Sequence, residues 1–577
     1  MNRILTGLVL IVTLLVGLCS AQPGKGKLSP GMSGDADAIP AGDWSRCRSI
    51  APGHPGAWSV PLDPGPTLEK LVSKPITLPA AATGQPGSVF ERVEGLFFAR
   101  DAGRACVVIH DTPFRKPAES RLEVLDLVSG KMLESVRWPS SLKPVGIDRA
   151  GEFVLARSDF HFARGLPSPA LGVWKLSDGA LEPVRLWSPQ APDSGHNVMP
   201  SWAAFIDADH VACITFPASL TVWNVPEGRA IYSMEISFMS SPAISPGGKQ
   251  LAAAVEGGIV VLDALDGDTL GWLPDAEVGS RTLSFRPDGA QIASLSPQRV
   301  VVWDLVKGEI YRDFAFATGV PSNSFAWVAG GHLLAGGDTL IDLERRLVLW
   351  KYSAGVSGGR ESHGELGGFF WHILSDRASN QRSLHPAVIP HDDALRMAAT
   401  IDPEQVLAVR PGASFTLDVR VQEDPAEQQK VQETLAARLE AAGMTVGDGG
   451  TLVLQATTET GPTKEVSYQT FGRLDRNPEK EPVIERISRV KIIENGLMLW
   501  ECRVSSSPPM HIHLDPGQSI QEAIAPYQQP DFAFFSGVYL PTSLARPPEH
   551  GAYGFSQLTP KGVVNTPPPV PAAGQAK

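Results

Sequence analysis

The chain is 577 residues long, 43% apolar and 19% charged, a globular balance that excludes wholesale disorder and predicts roughly two to four domains. Its net charge of −12 excludes a generic nucleic-acid binder, because neutralising phosphates requires a basic surface. Glycine and proline together make about 18% of the chain, against a usual ~12%, which predicts many turns and short strands in place of long helices.

The first 21 residues carry an address. Arg3 supplies a small positive start, and Ile4 to Leu18 is a 15-residue apolar run, shorter than the ~20 residues of a membrane span. Cys19-Ser20-Ala21 then sets small residues before Gln22-Pro23, the pattern of a signal-peptidase site. Residues 1–21 are therefore expected to be a signal peptide, with export to the periplasm or the cell exterior and no membrane span after cleavage. An uncleaved anchor and a lipoprotein anchored through Cys19 fit less well; for the latter, Leu18 stands where a small residue is wanted. Residues 22–57, rich in Pro, Gly, Ser and Ala, read as a flexible lead-in. Cys106 and Cys213 sit in apolar strand-like runs and read as buried thiols, Cys47 is open to pairing, and no cysteine spacing, Cys502 included, matches a zinc or haem pattern.

From about residue 85 the chain repeats. Six segments end alike: Glu123-Val124-Leu125-Asp126-Leu127, Gly172-Val173-Trp174-Lys175-Leu176, Thr221-Val222-Trp223-Asn224-Val225, Val260-Val261-Leu262-Asp263-Ala264, Val301-Val302-Trp303-Asp304-Leu305 and Thr339-Leu340-Ile341-Asp342-Leu343. Their fourth positions are about 43 residues apart on average. Gly130, Gly179, Gly228, Gly267 and Gly308 follow the first five, where a tight hairpin turn needs them. An earlier turn repeats as well, as Pro246-Gly247-Gly248 and Pro287-Asp288-Gly289, with Asp101-Ala102-Gly103, Arg149-Ala150-Gly151, Ala208-Asp209 and Ala329-Gly330-Gly331 in the same slot. Each unit thus reads as four short strands. One such sheet cannot bury both its faces alone; sheets stacked around an axis do, which is a β-propeller.

Trp303-Asp304, with Phe285-Arg286-Pro287-Asp288-Gly289 before it, resembles a WD40 repeat, over about residues 85–352 and reaching toward 410. The resemblance is to the degenerate, exported bacterial type. One unit alone has the Trp-Asp pair. The resemblance implies a binding platform. Six units are visible; a seventh is expected from Gly367–Leu374 and Met397–Val409, with Trp58–Leu78 supplying a closing strand. The expected fold is mainly β: a seven-bladed (alternatively six-bladed) propeller over residues 58–412, with Ser353–Gly364 as a blade connector, followed by a small α+β domain over 413–545.

In that second domain Phe415, Leu417, Val419 and Val421 alternate as a strand. Asp424-Pro425-Ala426-Glu427 reads as a capped helix start, Val431, Leu435 and Leu439 give its buried face, and Gly443 stops it. Leu452, Leu454 and Ala456 form a further strand, and Asn495-Gly496 turns a hairpin between 490–493 and 497–504. Residues 546–577 are Pro-rich and expected to be disordered.

Motifs for chemistry are sparse. His511-Ile512-His513-Leu514-Asp515 alternates three polar groups on one face of an extended segment, a spacing that can serve zinc but reads first as a solvent-facing strand or loop. His391-Asp392-Asp393 reads as a turn or helix start, and Asp207 with Asp209 as part of a repeat turn. Trp174, Trp223, Trp303 and Trp350 fall at strand ends and read as blade packing. No nucleophile elbow, zinc-protease, phosphate-loop or dinucleotide motif occurs, and neither metal nor cofactor is expected.

Loop lengths say more. From the early turn to the strand ending is 15 residues in the units at Gly248 and Gly289, but 23 from Gly103 and 24 from Gly151. The first two blades therefore carry insertions of about eight residues on the long-loop face, within His110–Ser120 and Ser158–Ala170. The first contains Phe114, Arg115 and Lys116; the second Phe160, His161, Phe162 and Arg164. Cationic and aromatic groups on an acidic protein make good interface anchors. The expected function is a non-catalytic, exported scaffold that binds a protein partner through this face. Rival readings are a cell-envelope assembly component whose tail domain docks to a membrane machine, and a propeller hydrolase or lyase acting on sugars or peptides at the central channel.

Overall fold

The repeated aspartates fold the hairpins. Oδ1 of Asp304 accepts the N–H groups of Val306 and Lys307 at 3.0 and 3.1 Å, and Oδ1 of Asp263 those of Leu265 and Asp266 at 3.0 and 2.9 Å. Asp342 does the same for Glu344 and Arg345, and Asn224 for Glu227. Each carboxylate imitates a backbone turn, and the glycine that follows takes positive φ, 71° at Gly267 and 72° at Gly308. The result, in a computed structural model, is a ring of seven antiparallel sheets. The described residues are 39–569, apart from 56–57, 80–88, 114–118, 140–141, 159–168, 178, 193–198, 216, 276–280, 355–362, 377–380, 422–424, 469–478, 507, 509–511, 513 and 515–516.

Blade one consists of Val89–Ala99, Arg104–Pro113, Glu119–Asp126 and Lys131–Arg137, paired in chain order from the axis outward. Blades two to six follow the same plan over residues 143–187, 202–235, 243–274, 282–315 and 325–354. Strand residues alternate between the two neighbouring blades. In blade five, Val301 and Trp303 pack toward blade four with Ala252 and Val261, while Val300 and Val302 pack toward blade six with Leu333 and Ile341. Trp174, Trp223, Trp303 and Trp350 are all buried, as blade packing predicts. Cys106 and Cys213 are buried free thiols, and burial pushes each up to about 12. Cys47 is also a free thiol.

Blade seven departs from the expected boundaries. It consists of His363–Leu366, Phe369–Asp376 and Gln381–Ala387, and its outer strand is Ile76–Leu78, antiparallel to Arg382–Leu384. The closing strand thus falls inside the expected Trp58–Leu78 stretch. Met397–Val409 is not part of the blade: it holds the end of helix Asp392–Thr400, helix Pro403–Val406 and the short strand Leu407–Val409. The N-terminal strand already fills the outer position, so no later segment is needed there.

Both ends of the chain that read as flexible contain ordered stretches. In the lead-in, Asp43 N–H donates to Gly228 O and Asp43 O accepts from Ala230 N–H, and Arg48–Ser49 pairs in parallel with Tyr232–Ser233 on the outer edge of blade three. Near the other terminus, Gly554–Thr559 pairs in parallel with the outer strand of blade six, and Gly562–Asn565 pairs back on it. Open sheet edges invite such cover. There Trp350 Nε1 donates to Ser556 Oγ at 2.9 Å, and His391 bridges Tyr352 Oη (2.9 Å) to Asn565 Oδ1 (3.1 Å). Local proline content concealed both segments, because their partners lie hundreds of residues away.

The chain divides into two compact units, the second being residues 405–547, while 548 onward returns to the propeller unit. In the second unit Ser414–Arg420 and Leu452–Tyr468 run parallel, joined by helix Pro425–Ala441, and Glu479–Glu494 and Leu497–Ser506 extend the sheet antiparallel. Val431, Leu435 and Leu439 are buried on the helix, and Asn495 and Gly496 take positive φ in the hairpin turn, as expected. Asp424 lies outside the described residues.

Candidate partner-binding face

In a blade of four antiparallel strands, the first and third turns fall on one face of the ring, and the middle hairpin and inter-blade connections on the other. The turn face is crossed by the chain's own residues 58–75. Trp58 Nε1 donates to the Leu305 carbonyl at 2.8 Å, and its ring rests against Gly308, where a Cβ would come within 2.8 Å of it. Asp63, 4% exposed, accepts the Ser245 hydroxyl (2.6 Å) and the Lys249 N–H (2.8 Å) in the first turn of blade four. Gly65 N–H donates to the Pro287 carbonyl in blade five at 2.9 Å. By Leu68 and Leu71 the segment touches Gly103 of blade one and Gly367 of blade seven, and Val72 N–H donates to Leu127 O at 2.8 Å.

Blades four and five stand across the axis from blades seven and one. Three residues reach about 10 Å, so from Gly65 to Leu68 the chain takes the direct line over the channel mouth. Sequence reading missed this strap. Its only local trace is that the repeat turns are glycines where it docks: a Cβ on Gly247 would lie 1.9 Å from Asp63 Oδ1. Two cavities, of about 350 and 490 Å³, open on this face. The carboxylates of the second are engaged locally. Asp148 accepts the N–H groups of Ala150, Glu152 and Phe153, Asp101 holds Arg149, and Asp207 accepts from Asp209 N–H and pairs with His210 at 2.8 Å. Asp207 and Asp209 are thus turn residues.

The opposite face carries the two insertions. Phe114, Arg115, Lys116, Phe160, His161, Phe162 and Arg164 all lie outside the described residues, so what is seen is the scaffold beneath them. The second strand of blade one has 10 residues against 6 in blade three; four extra residues at ~3.3 Å make it about 13 Å longer. Its base is pinned by His110 Nδ1 and Ser120 Oγ at 2.8 Å, and by Arg121, which donates to the fully buried Glu123 at 2.6 Å. The base of the second insertion is pinned by Ser158, whose N–H donates to Ala170 O and whose Oγ accepts Ala170 N–H at 3.0 Å.

Elsewhere on this face a charge network unforeseen from sequence joins blades four and five. Asp275 holds both Arg281 and Arg299, and Arg299 also grips Asp313 at 2.7 and 2.8 Å. Its partners are spread over 39 positions of chain, with no motif to mark them. His391 stands at the position just before helix Asp392–Thr400, a helix start as its context predicts, and its side chain does not cap the helix. His511, His513 and Asp515 lie outside the described residues. Among the described residues no group of three or more His, Cys, Asp or Glu side chains can hold a metal ion, and no helix is long and apolar enough to cross a membrane. Compared with known proteins, the chain matches no family model and no curated protein in sequence.

Proposed function

We propose that this chain is a non-catalytic protein-binding scaffold of WD40-like type, exported by its N-terminal signal, that grips its partner through the long-loop face of blades one and two. The observation that carries the reading is the strap: the turn face is occupied across its centre by residues 63–72, which leaves the opposite face for a partner. The lengthened second strand of blade one supports it. Phe114 and Phe160 supply apolar anchors, and Arg115, Lys116 and Arg164 supply charge-assisted hydrogen bonds.

Photo-crosslinking in the native envelope tests this. A crosslinker at position 116 should capture a partner, one at turn-face position 288 should not, and Phe160→Ala with Arg164→Ala should cut capture at least tenfold with an unchanged melting temperature. Capture from 288 alone would overturn it. The envelope-assembly reading is favoured by the separate compactness of residues 405–547. Replacing 405–547 by a short linker, while keeping 548–577 for blade six, should then mislocalise the propeller on cell fractionation; normal localisation would reject that role.

A further inference from the structure

Blade seven carries three histidines in one cross-strand row. His363 pairs directly with His372, and His372 directly with His385. Side chains directly opposite in a sheet stand on one face within about 5.5 Å, and the rings of His372 and His385 have centroids 5.7 Å apart. The alternate residues Trp371, Ile373 and Leu384 pack toward blade one, so the row faces blade six. There a Cβ on Gly337 would come within 2.6 Å of the His363 ring. His372 is 5% exposed, and neither of its ring nitrogens has a hydrogen-bond partner. His385 Nε2 meets the Ser383 hydroxyl at 2.7 Å.

Neutral imidazoles tolerate this packing; imidazoliums do not. Each proton would enter a site with little to receive it, and the charges would be adjacent. The ionisable groups facing the row offer little relief. On blade six, Asp338 is itself raised by burial, and the His332–Asp342 pair (3.7 Å) is already tied to Arg345. Lys351, near enough to Asp338 to act on it, adds positive charge. On blade seven, Glu365 is raised by burial, and the closing strand Ile76–Leu78 contributes no ionisable side chain.

We propose that the seam between blades six and seven is an acid-operated gate: protonation of the His363–His372–His385 row opens the closing blade and frees the strap that blade seven anchors. Burial, then the nearby His385, lowers His372 to about 4, and burial lowers His363 and His385 as well. The sign follows from linkage. The unfolded chain takes protons from pH 6.5 downward, while folded His372 refuses its proton to near 4 and folded His363 and His385 take theirs at lower pH than when unfolded, so stability is full above 6.5 and is lost on acidification. His372 alone shifts the folding equilibrium roughly 20-fold between pH 7 and 5.

The test is backbone hydrogen exchange of the full chain at pH 7.5 and 5.0, corrected for intrinsic rates, together with urea midpoints. At pH 5.0, peptides covering 363–387 and 61–78 should lose protection while those of blade three keep it. His372→Phe should remove the roughly 20-fold part of the loss that His372 carries; should that variant fold poorly, His363→Gln with His385→Gln should lessen the loss in part, because those two rings and the effect of His385 on His372 are removed. Equal loss of protection in blade three, or a pH response unchanged in both variants, would overturn the gate.

Discussion

Asp304 shows how little a repeat needs to conserve in order to fold. Its carboxylate accepts two N–H groups of the turn that follows, and the same function is met by Asn224 and Asp342 in blades whose other residues differ. Trp303 beside it fills the seam, a task that Leu262 and Ile341 perform elsewhere. The Trp-Asp pair is therefore two separate physical requirements, an apolar wedge and a turn acceptor, and each varies independently. Asp304→Ala should leave those turn N–H groups to water and cost about 1 kcal/mol, read as a lowered urea midpoint with an unchanged slope. Asp342 faces a harsher setting: burial alone would raise it, but the neighbouring His332 at 3.7 Å and hydrogen bonds from Arg345 bring it down to about 2.

At the scale of elements, edges decide which segments become strands. Arg48–Ser49 and Gly554–Thr559 are too short or too poor in apolar alternation to announce themselves, yet each lies along an outer strand that would otherwise present unpaired backbone. Gly554 is where it must be, since a Cβ there would meet the Trp350 ring at 2.2 Å. Truncation after residue 553 should uncover Trp350 and remove the buried Leu558. We expect a loss of about 2–4 kcal/mol, seen as a lower melting temperature, with the bare edge promoting association in sedimentation. The helix Pro425–Ala441 is the opposite case: its buried face recurs locally and could be read without its partners.

For the whole molecule, two histidine environments bend stability in opposite directions with pH. His210 is raised by its hydrogen bond to Asp207; its contribution is full below 6.5 and fades as pH rises through the raised folded value. His210→Asn should therefore cost no more than about 1 kcal/mol at pH 6 and almost nothing at pH 8.5, measured as the difference in urea midpoints, whereas the blade-seven row acts on the acid side. The amino-acid sequence by itself determined the repeat, its strand count, the hairpin turns and the helix of the second unit, because Asp and Gly turns and apolar periodicity act within a few residues. It also marked the two inserted loops by length alone. Only the tertiary structure decided which strand closes the ring, that residues 58–75 span the channel mouth, that Asp275 joins two arginines, and that three histidines on separate strands share one face. Those features arise from pairing between distant stretches, whose free energy depends on which surfaces meet and leaves no local pattern in the chain.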